Sequence, residues 1–474
     1  MENGTGVSRN KWLIFLFVAV GIFMSTLDSS IVNVALPTIM ADFGVALSTI
    51  EWVVMIYLLT ISSLLLSFGR LSDIRGRRWV YSRGLVVFSV GSLCCALAKN
   101  APWLITARAF QGIGAAMIMA CAPALVVDTF PATERGKALG MMATVVASGL
   151  TIGPALGGIL IHLFSWRVIF YINIPIGIVT AILIARMLRG TQADVTVEES
   201  FDWIGAVLLT LSMVCFLLAV SHGYNWGYFS LRTLSLLGVS LLSTVVFILH
   251  EIRIPHPVVQ PSLFAVRLFT LPILSGVTLF VSLFTVVFLM PFYLMTPCGY
   301  PIDEVGLFMV VPFVFLFFVS PLAGYLYDKV GSRMLCTVGM TILAVALFSL
   351  SGISCAETPL PIVWRLALVG LGTAIFLPPN SSAAMTAVPP DRRGIASSTV
   401  AAARNFGMVM GVALAGAIFN TCFHMFSGGL SLKVYRPELS PVFMSSFRYA
   451  IGAGGVAAMI GAVLAFLRGP DPTA

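Results

Sequence analysis

The signature Gly-x-x-x-Asp-x-x-Gly-x-Arg occurs twice in this chain, each time at the end of a long apolar run. The first copy is Gly69-Arg-Leu-Ser-Asp73-Ile-Arg75-Gly76-Arg77-Arg78 and the second is Gly324-Tyr-Leu-Tyr-Asp328-Lys-Val-Gly331-Ser-Arg333. All four signature positions keep one offset, since 324−69, 328−73, 331−76 and 333−78 each give 255. A charged hinge repeated between apolar segments predicts two similar halves joined in one chain. Those halves need an apolar solvent. Of the 474 residues, 59% are hydrophobic and only 10% charged, against roughly 25% charged in a soluble domain. The solvent is therefore lipid.

About 20 apolar residues span the hydrocarbon core as a helix, and fourteen stretches qualify, from 12–35 to 446–467. Backbone groups unpaired in lipid force each stretch into a helix, and the runs are too long for barrel strands of roughly 9–11 residues. The expected fold is an all-α polytopic membrane protein. The 255-residue offset maps the first span onto the ninth. This predicts an N-terminal six-helix bundle over 1–188, a cytoplasmic linker over 189–202 and an inserted two-helix hairpin over 203–250. A second linker follows over 251–267, then a C-terminal six-helix bundle over 268–474. A second echo supports the duplication: Gly149, Gly153 and Gly158 match Gly407, Gly411 and Gly416, each 258 residues on. The symmetry breaks at one point, where Pro154 follows Gly153 but Val412 follows Gly411.

The formal charge of +8 is a topology signal. Basic residues crowd the loops on the side of the N-terminus, which by the positive-inside rule places both termini in the cytoplasm and removes a nucleic-acid reading. Eight cysteines form no C-x-x-C pair, and the five histidines fall in loops or at span ends. No metal site and no cofactor are expected, and no Gly-x-x-x-x-Gly-Lys-[Ser/Thr] loop is present for ATP. Nothing points to an enzyme.

Asp28 reads as the only acidic residue well inside a span, with Ser25, Ser29, Ser30 and Asn33 around it on the helix. An intramembrane carboxylate is a functional candidate by default, able to exchange a proton for a substrate; the alternative is a structural aspartate satisfied by those neighbours. Arg108 is a guanidinium inside the fourth span, costly unless paired. Phe280, Phe284, Phe288 and Phe292 repeat every four residues. That stripe either lines a cavity or packs against a neighbouring helix, and packing is the commoner fate. Asn33, Gln111, Phe284, Phe288 and Arg404 are the cavity candidates.

These residues together resemble the major facilitator superfamily, and within it the 14-span drug/proton antiporters of the EmrB/QacA type. The marks, in order, are Leu27-Asp28-Ser-Ser-Ile-Val-Asn33-Val-Ala-Leu-Pro37, Gly69–Arg78 and Arg108-Ala-Phe-Gln111-Gly112-Ile-Gly114. Gly149-Leu-Thr-Ile-Gly153-Pro154-Ala-Leu-Gly157-Gly158, then Trp166-Arg-Val-Ile-Phe-Tyr-Ile-Asn173-Ile-Pro175-Ile-Gly177 and Phe201-Asp-Trp-Ile-Gly205 complete the set. The resemblance implies the facilitator fold, two six-helix halves plus the hairpin. It also implies proton coupling at Asp28, tuned by Arg108. Gly69, Asp73, Arg75, Gly76, Arg77 and Arg78 would form a gating latch, with Asp128 as partner of Arg70 or Arg75. The family usually has a basic residue directly after the aspartate, where this chain has Ile74. Gly149, Gly153, Pro154, Gly157 and Gly158 would form the antiporter motif. The expected activity is proton-driven export of lipophilic or cationic drugs by alternating access, from a bacterial plasma membrane, with or without accessory efflux subunits. A narrow metabolite exporter or symporter is the alternative in the same fold, and a non-transporting membrane sensor the alternative outside it.

Overall fold

The computed structural model describes residues 4–131, 134–187, 202–254, 261–354, 358–389 and 393–469. Within them the chain is helical throughout, and thirteen helices are long and apolar enough to cross a membrane. The N-terminal set comprises α1 (Gly4–Phe43), a short α2 (Leu47–Ile50), α3 (Trp52–Arg75), α4 (Arg77–Ala96), α5 (Ala101–Thr129) and α6 (Arg135–Leu163). The expected sixth span, 167–187, is two pieces, α7 (Val168–Tyr171) and α8 (Asn173–Met187). Pro175 supplies no N–H for the carbonyl of Tyr171 four residues earlier, which accounts for the interruption. The hairpin is α9 (Trp203–Trp226) and α10 (Leu231–Arg253). The C-terminal set is α11 (Arg267–Met295), α12 (Ile302–Val330), α13 (Ser332–Ser351), α14 (Pro359–Thr386), α15 (Arg393–Phe426) and α16 (Ser440–Leu467).

The duplicated signature folds the same way twice. Helix α3 runs on through Gly69 and Asp73 to Arg75, and the whole connection to α4 is Gly76 at φ +89°. Its counterpart Gly331, at φ +78°, is the whole connection from α12 to α13. A positive φ is strained for any side chain with a Cβ, so the second glycine of the signature is set by geometry.

The glycine echo is a packing device. Helix α6 lies against α1 and α12, and its counterpart α15 lies against α11 and α3. A Cβ on Gly149, Gly153 or Gly157 would press on Thr26, Ser30 or Ile31 of α1, and one on Gly158 would sit 2.6 Å from the Ile302 carbonyl of α12. On α15, Gly407 and Gly411 face Val277, Phe280, Val281 and Phe284 of α11, while Gly416 faces Glu51 at the head of α3. Bare backbone at these points lets one helix of each half touch both halves. Helix α9 packs on α10 and leans on α15 and α3, so the hairpin covers one seam from outside.

Candidate functional site

Asp28 and Arg108 meet in the interior of the N-terminal set, 0% and 1% exposed. The Arg108 Nη1 lies 2.5 Å from Asp28 Oδ2 and also donates to Gln111 Oε1 at 2.6 Å. Asp28 Oδ1 accepts from Gln111 Nε2 at 2.9 Å and from Asn173 Nδ2 at 3.0 Å, and Gln111 Nε2 reaches Ser92 Oγ at 2.8 Å. The Arg108 Nε donates to the Val53 carbonyl at 3.1 Å, and its guanidinium carbon lies 3.9 Å from the centre of the Tyr57 ring. Glycines bring these helices together: a Cβ on Gly91 would sit 2.6 Å from the Gln111 Cα, and one on Gly114 would run into the Phe88 backbone. Every oxygen of the buried carboxylate has a donor, as a charge kept out of water requires. The pair joins α1 to α5, with α8 contributing Asn173 and α4 contributing Ser92.

Between the two halves lies a cavity of about 570 Å³. Ser25 and Ser29 of α1 and Phe284 of α11 form its deep end, with Tyr57 of α3 beside them. Gly140, Ser320 and Ser381 line it nearer the end of the bundle where α1 begins and α16 stops. At the other end the halves touch, Gly158 against Ile302, Gly306 against the Pro154 carbonyl and Gly416 against Glu51. His162 Nδ1 and Asp303 Oδ1 stand 3.3 Å apart across that same closed seam. Asp28 does not line the cavity. Tyr57 stands between them, its ring against Arg108 and its hydroxyl bonded to Ser25 at 3.2 Å.

The cavity candidates divide. Phe284 and Arg404 line it, as does Phe280. Asn33, Gln111 and Phe288 are not among the described lining residues. Asn33 Nδ2 bonds back to the Ser29 carbonyl of its own helix, Gln111 is engaged by the ion pair, and Phe288 packs on Phe292 with ring centres 5.6 Å apart. The aromatic stripe thus changes role along α11, cavity wall first and core afterwards. At the expected latch, Asp128 pairs with Arg77 at 2.6 Å, because the single-residue connection sets Arg77 on the first turn of α4 beside the end of α5. Gly69 meets nothing within 4 Å of where a Cβ would stand. Arg75 is exposed, Arg78 is half-buried, and the Asp73 side chain lies outside the described residues.

Two buried acids join Asp28. Glu51, at the margin of the expected second span, is 0% exposed, and Glu251 near the end of α10 is 2% exposed. Both Glu51 oxygens are buried without a well-formed hydrogen bond among the described residues, with the Ser221 hydroxyl of α9 close enough to interact. Asn173, Tyr57 and Ser92 also escaped sequence reasoning as site residues. Asn173 carried a signal, a lone amide in an apolar run two residues before Pro175; Tyr57 and Ser92 carried none.

A sequence profile of the Major Facilitator Superfamily matches residues 18–412 and 272–474. The chain is 34% identical over 413 residues to the riboflavin transporter RibZ of Clostridioides difficile, covering 87% of this chain and 89% of that one. It is 34% identical over 414 residues to the multidrug resistance protein Stp of Mycobacterium tuberculosis, covering 87% and 76%. Among solved structures, a bacterial homolog of the human lysosomal transporter Spinster, inward-facing and occupied, superposes with a TM-score of 0.72 at 16% identity, covering 96% of each chain.

Proposed function

The chain belongs to the major facilitator superfamily, and from that premise we propose that it is a proton-coupled secondary transporter exporting lipophilic compounds by alternating access. It is a multi-pass membrane protein whose relatives are transporters, not enzymes. The observation that carries the finer reading is the Asp28–Arg108 pair. It is a fully buried carboxylate one aromatic ring away from a cavity that lies between the halves. A proton arriving on Asp28 would weaken its hold on Arg108, and Tyr57, which touches both the guanidinium and the cavity, would pass that change to the cargo. The two bundles rock about the cavity, with the hairpin as a flank to the α3–α15 seam. The basic loops support termini in the cytoplasm and residence in a plasma membrane.

Cargo breadth has two readings. A multidrug role is supported by the resistance-protein relative and by the phenylalanine-rich lining. A narrower metabolite role is supported by the riboflavin-transporter relative and by the polar groups Arg404, Asn405 and Thr373 set into that lining. The test of coupling uses protein reconstituted in liposomes with an imposed pH gradient and a panel of lipophilic dyes. Gradient-driven accumulation by the wild type, lost in Asp28→Asn at equal folded, reconstituted amount with dye binding retained, is the expected result. Equal accumulation with the gradient collapsed, or unchanged coupling in Asp28→Asn, overturns the reading.

A further inference from the structure

We propose that the cavity selects an aromatic cargo bearing an anionic group, and that Arg404 seats that group. This rests on the cavity being the cargo site of the transporter reading, and it narrows the cargo class. Arg404 is the only charged side chain among the described residues lining the 570 Å³ cavity. Its guanidinium makes no hydrogen bond or ion pair among the described residues, and its Nε is buried without a partner. A guanidinium stays protonated in proteins, and a cation in a low-dielectric wall calls for an opposite charge.

The neighbouring polar groups point the same way. Asn405 and Ser320 also line this cavity, and the Asn405 amide nitrogen and the Ser320 hydroxyl are buried without a partner among the described residues. Both can donate, so an acceptor-rich group held by Arg404 could also take the amide of Asn405, the next residue on α15, while Ser320 on α12 offers a further donor elsewhere on the wall. No carboxylate among the described lining residues opposes them. Asp28 lies behind Tyr57 in its own ion pair, and Glu51 faces Gly416 on the closed seam. A cationic cargo would therefore meet one uncompensated positive charge and no negative one. The remaining wall includes Phe280, Phe284, Phe313 and Phe317, which suits a flat conjugated body, and the volume falls within the usual range for a drug-sized ligand. Arg404 also lines an adjoining pocket of about 290 Å³ toward the starts of α11 and α15, sharing Phe280, Leu377 and Ser381 with the main cavity. An anion moving between the two spaces stays within reach of it.

The experiment is equilibrium binding to the full chain in lipid nanodiscs, with empty nanodiscs subtracted. Three fluorescent probes share one skeleton: 9-anthracenecarboxylate, its primary amide, and 9-anthracenylmethyl-trimethylammonium. The wild type is expected to bind the carboxylate at least tenfold more tightly than the amide, and the ammonium weakest. Arg404→Gln should erase the carboxylate's advantage while leaving the amide's affinity within threefold, and Arg404→Lys should retain part of it. A wild-type preference for the ammonium overturns the proposal even if Arg404→Gln fails to fold. So does a carboxylate preference that survives Arg404→Gln, or no binding of any probe above empty nanodiscs. Failure of proton coupling is a separate result: the probe order would stand while gradient-driven transport was absent.

Discussion

At the scale of single residues, three buried ionisable groups sit in two different situations. Asp28 and Arg108 compensate each other at 2.5 Å, so removing either partner strands the other. Arg108→Met is expected to cost about 3–5 kcal/mol of stability. Combining it with Asp28→Asn should cost clearly less than the sum of the single changes. Additive losses in unfolding titrations of the four proteins would mean the two groups are not coupled. Glu51 is the opposite case, a carboxyl with no ion pair among the described residues and only a hydroxyl, that of Ser221, close enough to interact without a well-formed hydrogen bond. Glu51→Gln is expected to leave the melting temperature unchanged or raise it, since burying a polar group without a partner is itself unfavourable. A drop like that of Arg108→Met would show that Glu51 has a compensating partner. Asp28 and Arg108 were legible in the sequence because a charge in the middle of an apolar run has no innocent explanation. Glu51 was not, because at the head of its run it reads as interfacial, and it is packing from other helices, Gly416 of α15 among them, that buries it. The cavity's walls were legible at Phe284 and Arg404 but not at Tyr57, because which face of a helix meets a void depends on neighbours from the other half.

At the scale of elements, α6 and α15 show what the glycine echo does and what the proline adds. Gly158 has no room for a Cβ against α12, whereas Gly140 on the same helix meets nothing within 4 Å. Gly158→Leu should therefore force the closed seam apart. A thiol-reactive label on an engineered cysteine at the head of α12 should react at least several-fold faster in that variant. Gly140→Ala should leave the label's rate unchanged and gain up to about 1 kcal/mol from helix propensity. Identical labelling in both variants would remove the seam from the argument. Gly69 makes a sharper case. It belongs to the duplicated signature, yet no described residue stands within 4 Å of where its Cβ would be. Its need for a bare backbone must then arise when the hollow end closes, so Gly69→Leu should keep its stability and lose transport. Loss of both together would assign Gly69 to folding. The repeat itself and its glycine hinges were readable from the sequence, whereas the sequence has fourteen apolar runs and thirteen helices among the described residues are long enough to cross a membrane. The interruption at Ile172 was not, because it takes one proline's missing donor inside an otherwise continuous run.

At the scale of the whole molecule, the duplication has a mechanical consequence. Each half contributes one glycine-striped helix that touches both halves, α6 on α1 and α12, α15 on α11 and α3. An exchange of hollow and closed ends therefore requires both striped helices to move relative to the opposite half together. In the present arrangement the closed end is tied across the halves near His162 and Asp303, 3.3 Å apart. Replacing that pair by cysteines in a cysteine-depleted background, His162→Cys with Asp303→Cys, permits a disulfide that fixes this end shut. If cargo moves by alternation of the two ends, oxidation should abolish transport and a reductant should restore it. Binding of cargo from the hollow end should survive in both states, because the bridge leaves the cavity intact. Transport that continues in the fully oxidised protein would mean that the seam beside α6 and α12 does not open in the cycle. The path would then lie within one bundle, and the twofold arrangement of glycines would be a relic of duplication with no part in the movement.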